Sequence, residues 1–506
     1  MTPTRPWARR RPDRAAEPHL DPDVLAAWCR RVPVLAAALD TAAEVPEATL
    51  SAVRDAVGRF VDARDPAQVW LALAVLSGVL PDDTTVIETT RASESDPSAL
   101  VDRVTLLTTP ESARRRVRVE SGSTVVDVAH TASTTLMTGI QRVARESTRR
   151  WLARDVVPVS WTTGLDAVRE LTPAEHDRIV RAVAADESDE ALDEAAVVVP
   201  WRTTYVLPEL AIDQARTERL RTLARFSGGE FTAIGFDLIP LTTGETTAPG
   251  MPGAFAGAMT VLRHGTRVAP ISRAAAVEYA GWRTMLGAAG HDGPAIEPVP
   301  LPAEAPPSTE SDLADASERF VVGTLPLVLV VGSHEPRKNH RAVLHAAEVL
   351  WREGNEFSLT FIGGNAWRSE DFTQRLRRLQ EQGLPVESAS RIPDRLLWAA
   401  YRLARFTVFP SLNEGYGLPV AESLAVGTPA VTSAFGSMAE IADGGGALLV
   451  DPRDDVSLRD GMRALLADDA TLLRLRAEAA ARSVRTWDEY AEDVWRFLVE
   501  GAPPAR

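Results

Sequence analysis

Between about 23 and 110 the apolar residues recur at helical spacing, and the pattern predicts helices over 24–38, 47–63, 67–80 and 97–107. Prolines and short acidic or Ser/Thr runs, such as 93–98, separate them. Val69, Trp70, Leu73, Leu76 and Leu80 place apolar groups on more than one side of the third helix, so it must be buried. From Val117 onward the period changes, and short apolar runs alternate with amphipathic stretches. Strands are expected at 124–128, 156–161, 196–200 and 231–239, with helices at 140–152, 173–184 and 212–226. From about 287 to 326 the composition shifts to Gly, Pro, Ala and acids, which reads as a linker. A second βα series follows. Its first run, 327–331, is apolar throughout, as a strand covered on both faces should be.

This alternation predicts the following organisation: a disordered basic tail over 1–20, a helical accessory domain over 21–115 and an α/β lobe over 116–300. A linker over 301–325, a second α/β lobe over 326–486 and a closing helix over 487–506 complete it. A chain of 506 residues with 45% hydrophobic content can fill more than one core. The net charge of −15 argues against a nucleic-acid partner, which needs a basic face. Cys29 is the only cysteine, so there is no internal disulfide and no cysteine-rich zinc site. The 14-residue apolar helix over 67–80 is too short to cross a bilayer. The first residues carry Arg5, Arg9, Arg10, Arg11 and Arg14 without the apolar stretch of a signal peptide. A cytoplasmic protein is therefore expected. The arginine cluster reads first as a tail, and second as a peripheral contact to anionic lipid at the inner membrane face.

The candidate chemistry gathers at loops that end strands. Strand 406–409 is closed by Pro410, and a loop with Glu414, Gly415 and Gly417 leads to Pro419, which suits the first turn of a helix expected over 419–426. Another strand opens at 430, so the loop sits at the carboxyl edge of a parallel sheet, where ligands bind. Free N–H groups at that helix start favour an anion such as a diphosphate. Strand 327–331 likewise runs into a loop bearing Arg337 and Lys338 at the same edge. Taken singly, Glu422 is an ordinary first-turn charge, Glu414 a solvated loop residue and the two cations surface charges. In the first lobe, a strand, a small polar loop holding His130, and a helix start near Gly139 repeat this geometry. Asp237 ends another strand there, either as a cleft residue or as a helix-preceding cap.

The string EGYGLPVAE at 414–422 resembles the E-x7-E signature of the retaining, nucleotide-sugar-dependent glycosyltransferases of family 4. The resemblance runs from about 326 to 487, and further motifs stand in the same order. EPRKN at 335–339 resembles the family's phosphate-binding loop, GGNAW at 363–367 a stretch of its mannosyl- and rhamnosyltransferase-like members, and RIPDRLL at 391–397 its base-contacting loop. In the first lobe, TGIQRV at 138–143 looks like the first βα unit of some members, and APISR at 269–273 like a late serine motif. Two positions depart from the pattern: Phe236 stands where many relatives have a histidine, and Ser333 where many have an arginine.

The resemblance implies an α/β protein of GT-B fold, with two Rossmann-like lobes facing across a cleft, preceded here by the helical domain. The first lobe would present the acceptor, and the closing helix would cross back to it. Glu414 would contact the sugar and steady its developing positive charge, and Glu422 would bind the ribose hydroxyls. Arg337, Lys338 and the backbone of Gly415, Tyr416, Gly417 and Leu418 would hold the diphosphate, and Ile392 would meet the base. Gly139, His130 and Asp237 would line the acceptor side. No cofactor and no metal is expected, since cations and helix dipole can take the metal's place. The implied partners are a nucleotide-sugar, GDP-mannose first and dTDP-rhamnose or a UDP-hexose as alternatives, and a saccharide or lipid-linked acceptor. The helical domain is a candidate surface for a protein partner or self-association. Two rivals remain: another GT-B or nucleotide-sugar enzyme, and a non-catalytic scaffold that kept the fold.

Overall fold

The computed structural model describes residues 20–134, 138–181, 192 and 195–504, which divide into two compact units, Met1–Val119 and Glu120–Arg506. The expected basic tail lies outside the described residues. The first unit is helical: Pro22–Ala38, Leu50–Val57, Pro66–Ser77, Asp83–Ser93, Ala99–Leu107 and Pro110–Arg114. Pro66–Ser77 is its centre, and every residue from Val69 to Ser77 is at most 1% exposed. Asp65 caps this helix, and Gly78 ends it at φ 72°, a conformation that favours glycine. Buried Arg31 donates to the carbonyls of Leu76 at 2.8 Å, Ser112 at 2.6 Å and Arg115 at 2.7 Å, tying three helices together. The helix Asp83–Ser93 lies in the stretch left unassigned between the expected helices over 67–80 and 97–107; Asp82 caps it, and Thr89, Thr90 and Ser93 return their hydroxyls to carbonyls of the preceding turn.

The second unit holds two sheets. The first runs in the order Val197–Trp201, Val168–Glu170, Val156–Trp161, Thr124–Asp127, Thr204–Leu207, Glu230–Gly235, Arg267–Pro270 and Ala295–Ile296. Strand pairs from Val156–Trp161 through Ala295–Ile296 are parallel, and Val168–Glu170 pairs antiparallel on both sides. The expected strand over 231–239 stops at Gly235, since Leu238 onward turns into the short helix Ile239–Thr242.

The second sheet is parallel, ordered Val386–Ala389, Ser358–Ile362, Leu327–Val331, Phe406–Phe409, Ala430–Ser433, Ala447–Val450. Counted along the chain within this sheet, the order is 3-2-1-4-5-6, with its reversal between Leu327–Val331 and Phe406–Phe409. Open α/β sheets bind ligands at such a reversal. The two strands are paired from Val328 to Phe406, and their exit loops carry Arg337, Lys338 and Glu414.

Two segments differ from expectation. Residues 310–320, inside the expected linker, form the helix Glu310–Phe320 with a Thr309–Asp312 capping box, and Ala316 and Phe320 pack with Trp398 and Tyr401 in the second lobe's core. The acidic composition that reads as linker is the exposed face of this helix. The last helix, Trp487–Leu498, buries Trp487, Tyr490, Val494 and Leu498 against Val126, Ile234 and Ala269 of the first sheet. Trp151 donates to the Ala491 carbonyl at 3.0 Å, which fixes that helix to the first lobe.

Candidate functional site

At the reversal of the second sheet, Glu414 sits among three donors. Lys338 Nζ lies 2.6 Å, Arg337 Nη1 2.8 Å and Ser411 Oγ 2.7 Å from the same oxygen, Oε1. Among the described residues no donor lies on Oε2. Burial opposes ionisation of Glu414, but Arg337 and Lys338 outweigh it and hold the carboxyl at about 2. Arg337 also donates to the Asn413 carbonyl at 2.5 Å and to Glu335 at 3.0 Å, so its guanidinium spans both exit loops. Lys338 lies over the Phe409 ring, 4.9 Å from its centroid.

The helix after this loop is Leu418–Ala425, one residue earlier than expected, with Gly417 before it at φ 109°. That left-handed backbone turns the N–H groups of the helix start toward the loop and requires glycine. Glu422, buried in this helix, accepts from Arg142 Nη1 at 2.7 Å and from the Tyr401 hydroxyl at 3.0 Å. Burial raises its carboxyl above the usual range, and Arg142 opposes the rise.

The facing wall comes from the first lobe. Gly415 approaches so closely that an added Cβ would lie 2.8 Å from Asp237 Oδ2 and 3.0 Å from the Phe236 carbonyl. Burial pushes the Asp237 carboxyl up to about 6, against the pull of Arg337, with Glu278 and Glu414 adding to the rise. Ser272 of the APISR string donates to the Gly415 carbonyl at 2.6 Å, and Glu440 accepts from the backbone N–H groups of Arg273 and Ala274 at 3.0 Å. Gly139 opens the helix Gly139–Trp151, one residue ahead of the expected start, and Thr138 and Gln141 form a capping box there. Its Cα faces Leu418 across the cleft.

His130 is held from below. Glu209 accepts from the N–H groups of His130 at 2.8 Å and Thr131 at 2.9 Å, and Arg216 bridges Glu209 to buried Asp127. The His130 ring meets Gln141 at 3.1 Å. Ile392 is half-buried beside the cluster of Trp398 and Tyr401, the latter the partner of Glu422, and follows Arg391, whose φ is 55°. Among the described residues no group of three or more His, Cys, Asp or Glu is placed to hold a metal ion.

Residues 315–483 match the family described as Glycosyl transferases group 1. This segment is a group 1 glycosyl transferase domain. It contains both exit loops, with Arg337, Lys338, Glu414 and Glu422. A serotype-specific mannosyltransferase from Escherichia coli is 25% identical over 348 residues, 65% of this chain and 41% of its own. A D-inositol 3-phosphate glycosyltransferase from Xylanimonas cellulosilytica is 35% identical over 176 residues, covering 33% of this chain and 40% of its own. The chain thus spans about 41% of the length of the first of these curated relatives. Among solved structures, a sucrose-phosphate synthase from Thermosynechococcus elongatus superposes with TM-score 0.54 at 17% identity, over 75% of this chain and 99% of that one. HepE from Anabaena, solved with UDP and glucose, gives TM-score 0.52 at 12% identity, over 74% and 99%. At these identities the likeness concerns the fold, and the fold is GT-B.

The group 1 domain brings Arg337, Lys338, Glu414, Gly415, Gly417 and Leu418 together at one sheet edge, with Gly139 and Asp237 facing them. Tyr416 points its hydroxyl away, to the Leu301 carbonyl at 2.6 Å. Sequence reasoning left out Arg142 and Tyr401, while Pro410 and Ser411 fit the family pattern without a role for the Ser411 hydroxyl. Arg142 stands inside the quoted TGIQRV string, and a cation one turn into a helix at the cleft was the available signal. Tyr401 carries no sequence signal beyond its helix position.

Proposed function

We propose that the protein is a retaining glycosyltransferase that moves a hexosyl group from a nucleotide-sugar to a saccharide or lipid-linked glycan during cell-surface polysaccharide synthesis. GDP-mannose is the first choice of donor. The observation that carries this reading is Glu414 bound through one oxygen to Arg337, Lys338 and Ser411 at the sheet reversal, with its other oxygen uncommitted among the described residues. The family match of residues 315–483 and the mannosyltransferase relatives support it.

The chemistry follows from charge. As the bond between the sugar and the diphosphate breaks, negative charge grows on the leaving phosphate and positive charge on the ring. Arg337, Lys338 and the N–H groups at the start of Leu418–Ala425 would meet the first. Glu414, ionised across the physiological range, would meet the second through Oε2 and bind ring hydroxyls. Glu422 would take the ribose hydroxyls after releasing Arg142. The acceptor oxygen attacks the same face that the diphosphate leaves, and its proton passes to the leaving phosphate. Asp237 and His130 would orient the acceptor. Side-chain cations serve where other enzymes use a metal, so no metal is required. We place the reaction in the cytoplasm, with a lipid-linked acceptor at the inner membrane face; no helix among the described residues is long and apolar enough to cross a membrane.

The test is nucleoside diphosphate release from GDP-mannose, dTDP-rhamnose and UDP-glucose by the full chain, with mannosyl oligosaccharide acceptors and with chelator present. Acceptor-dependent release from one donor, lost in Glu414→Ala, is expected. Release that persists in Glu414→Ala would overturn the site assignment.

A further inference from the structure

His130 is an exposed residue just past strand Thr124–Asp127, at the carboxyl edge of the first sheet. Its ring lies against the first turn of helix Gly139–Trp151, whose Gly139 faces Leu418 across the cleft. Its backbone is pinned, because buried Glu209 accepts from the N–H groups of His130 and Thr131 and from the Thr131 hydroxyl. What the ring can do from this fixed base depends on which of its nitrogens carries the proton.

Gln141 decides that. Its side chain is buried, and the backbone N–H of Thr138 lies 3.1 Å from its Oε1, with the Thr138 hydroxyl on the same oxygen. A backbone N–H can only donate, so the amide is oriented with Oε1 toward Thr138. The atom 3.1 Å from His130 Nδ1 is then the amide nitrogen, Nε2. An amide nitrogen donates as well, so Nδ1 accepts, the ring is neutral, and its proton sits on the other ring nitrogen.

The charged side chains bonded to this segment meet its backbone. Arg145 of helix Gly139–Trp151 donates to the carbonyls of Thr131 and Thr134, and Arg178 of helix Pro173–Arg181 to that of Ala132. Asp127 accepts from the Ala129 N–H, and Arg216 joins it to Glu209. At the cleft, Arg142 is held by Glu422, and Arg337 and Lys338 by Glu414.

An exposed imidazole at a transfer site reads first as a general base. Here the outward nitrogen has no lone pair to take a proton; it offers an N–H. An attacking hydroxyl that passes its proton to the leaving phosphate can accept from such a group, whereas an imidazole lone pair would draw that proton away. We propose that His130 is a fixed hydrogen-bond donor to the attacking hydroxyl of the acceptor saccharide, and that Gln141 is the positioning residue that sets its proton. The proposal rests on the glycosyltransferase reading above.

The experiment reverses the proton. Gln141→Glu keeps a Thr-x-x-Glu capping box, but its carboxylate accepts from Nδ1–H, so a neutral ring then turns a lone pair outward at Nε2. Two-bond 1H–15N spectra of the full chain, labelled at its eight histidines and assigned with His130→Gln, read the tautomer at pH 8.5. Nε2–H is expected in the parent and Nδ1–H in Gln141→Glu. Nδ1–H in the parent, or an unchanged tautomer in the variant, would overturn the proposal.

Acceptor-dependent release of nucleoside diphosphate from GDP-mannose, with mannosyl oligosaccharides as acceptor, reads the role. At pH 6 a doubly protonated ring in Gln141→Glu still donates from Nε2; at pH 8.5 the neutral ring does not. Relative to the parent, acceptor kcat/KM in Gln141→Glu should therefore fall at least about tenfold between the two, with KM for the donor unchanged. A constant ratio, or the same fall when Gln141→Glu is combined with His130→Gln, would overturn the proposal. Absent transfer in the parent would overturn the glycosyltransferase reading and the acceptor contact with it, while the spectrum would still decide the proton on His130.

Discussion

Arg142 Nη1 of the first lobe donates to Glu422 Oε1 of the second at 2.7 Å. Tyr401 takes the other oxygen at 3.0 Å, so both carboxylate oxygens are engaged within the fold. The contact joins helix Gly139–Trp151 to helix Leu418–Ala425 across the cleft. Under the proposed function, ribose hydroxyls must displace at least one of these donors.

Arg142→Ala leaves a largely buried carboxylate with one donor. The expected loss of stability is on the order of 1–3 kcal/mol, below the range for fully buried pairs because Arg142 is partly open to solvent. Adding Glu422→Gln to Arg142→Ala should recover most of it. Thermal unfolding of the two single variants and the double variant forms the cycle, and strictly additive losses would show that the pair is not coupled.

Glu414 sets an acid limit. Its folded value of about 2 lies below its ordinary 4.5, so its contribution is present above pH 4.5 and is lost as the pH falls toward 2. The contribution is roughly 3 kcal/mol at most. Glu414→Gln should be less stable than the parent at pH 7, with the gap closing across that window. A gap of constant size from pH 6 to pH 2.5 would contradict the charge network.

Asp237 behaves in the opposite sense. Its folded value of about 6 exceeds its ordinary 3.8, so the folded state favours the protonated form, and that stability is lost as the pH rises through 6. Asp237→Asn should match the parent near pH 4 and exceed it by roughly 2–3 kcal/mol at pH 7.5. Chemical denaturation at the two pH values measures this. An asparagine variant that is less stable at pH 7.5 would show that the carboxylate is paired and not merely buried.

Gly415→Ala puts a methyl group 2.8 Å from Asp237 Oδ2 and 3.0 Å from the Phe236 carbonyl. Overpacking of this kind costs roughly 1–3 kcal/mol, and it falls on the contact between lobes, not on either sheet. Transfer should drop sharply while far-UV circular dichroism stays that of the parent. Full activity in this variant would show that the lobes need not approach as closely as they do here.

The second lobe was largely legible in the sequence, since Leu327–Val331 is an unbroken apolar run and Phe406–Phe409 is broken only by Thr407, so both read directly as strands buried on both faces. The first lobe was less so. Thr204–Leu207 and Val168–Glu170 are only four and three residues long, too short to show a period. Met251–Leu262 is rich in Gly, Ala and Met, and its first turn holds Pro252, so it lacks a polar face to mark it as a helix. Arg337, Lys338 and Glu414 could be placed at one edge from their loops alone. Their sharing of a single carboxylate oxygen could not, because it depends on the parallel pairing of strands more than 70 residues apart. Arg142 and Glu422 are 280 positions apart, and only the closed cleft joins them.

The most direct test of the account is thermal unfolding of the full chain against GDP, UDP, dTDP and ADP, with and without Mg2+, alongside Lys338→Ala. A ligand that binds only the folded state must raise the midpoint. One nucleoside diphosphate should raise it without metal, and Lys338→Ala should lose most of the rise. No rise with any of the four, or an undiminished rise in Lys338→Ala, would contradict the donor site drawn at the sheet reversal.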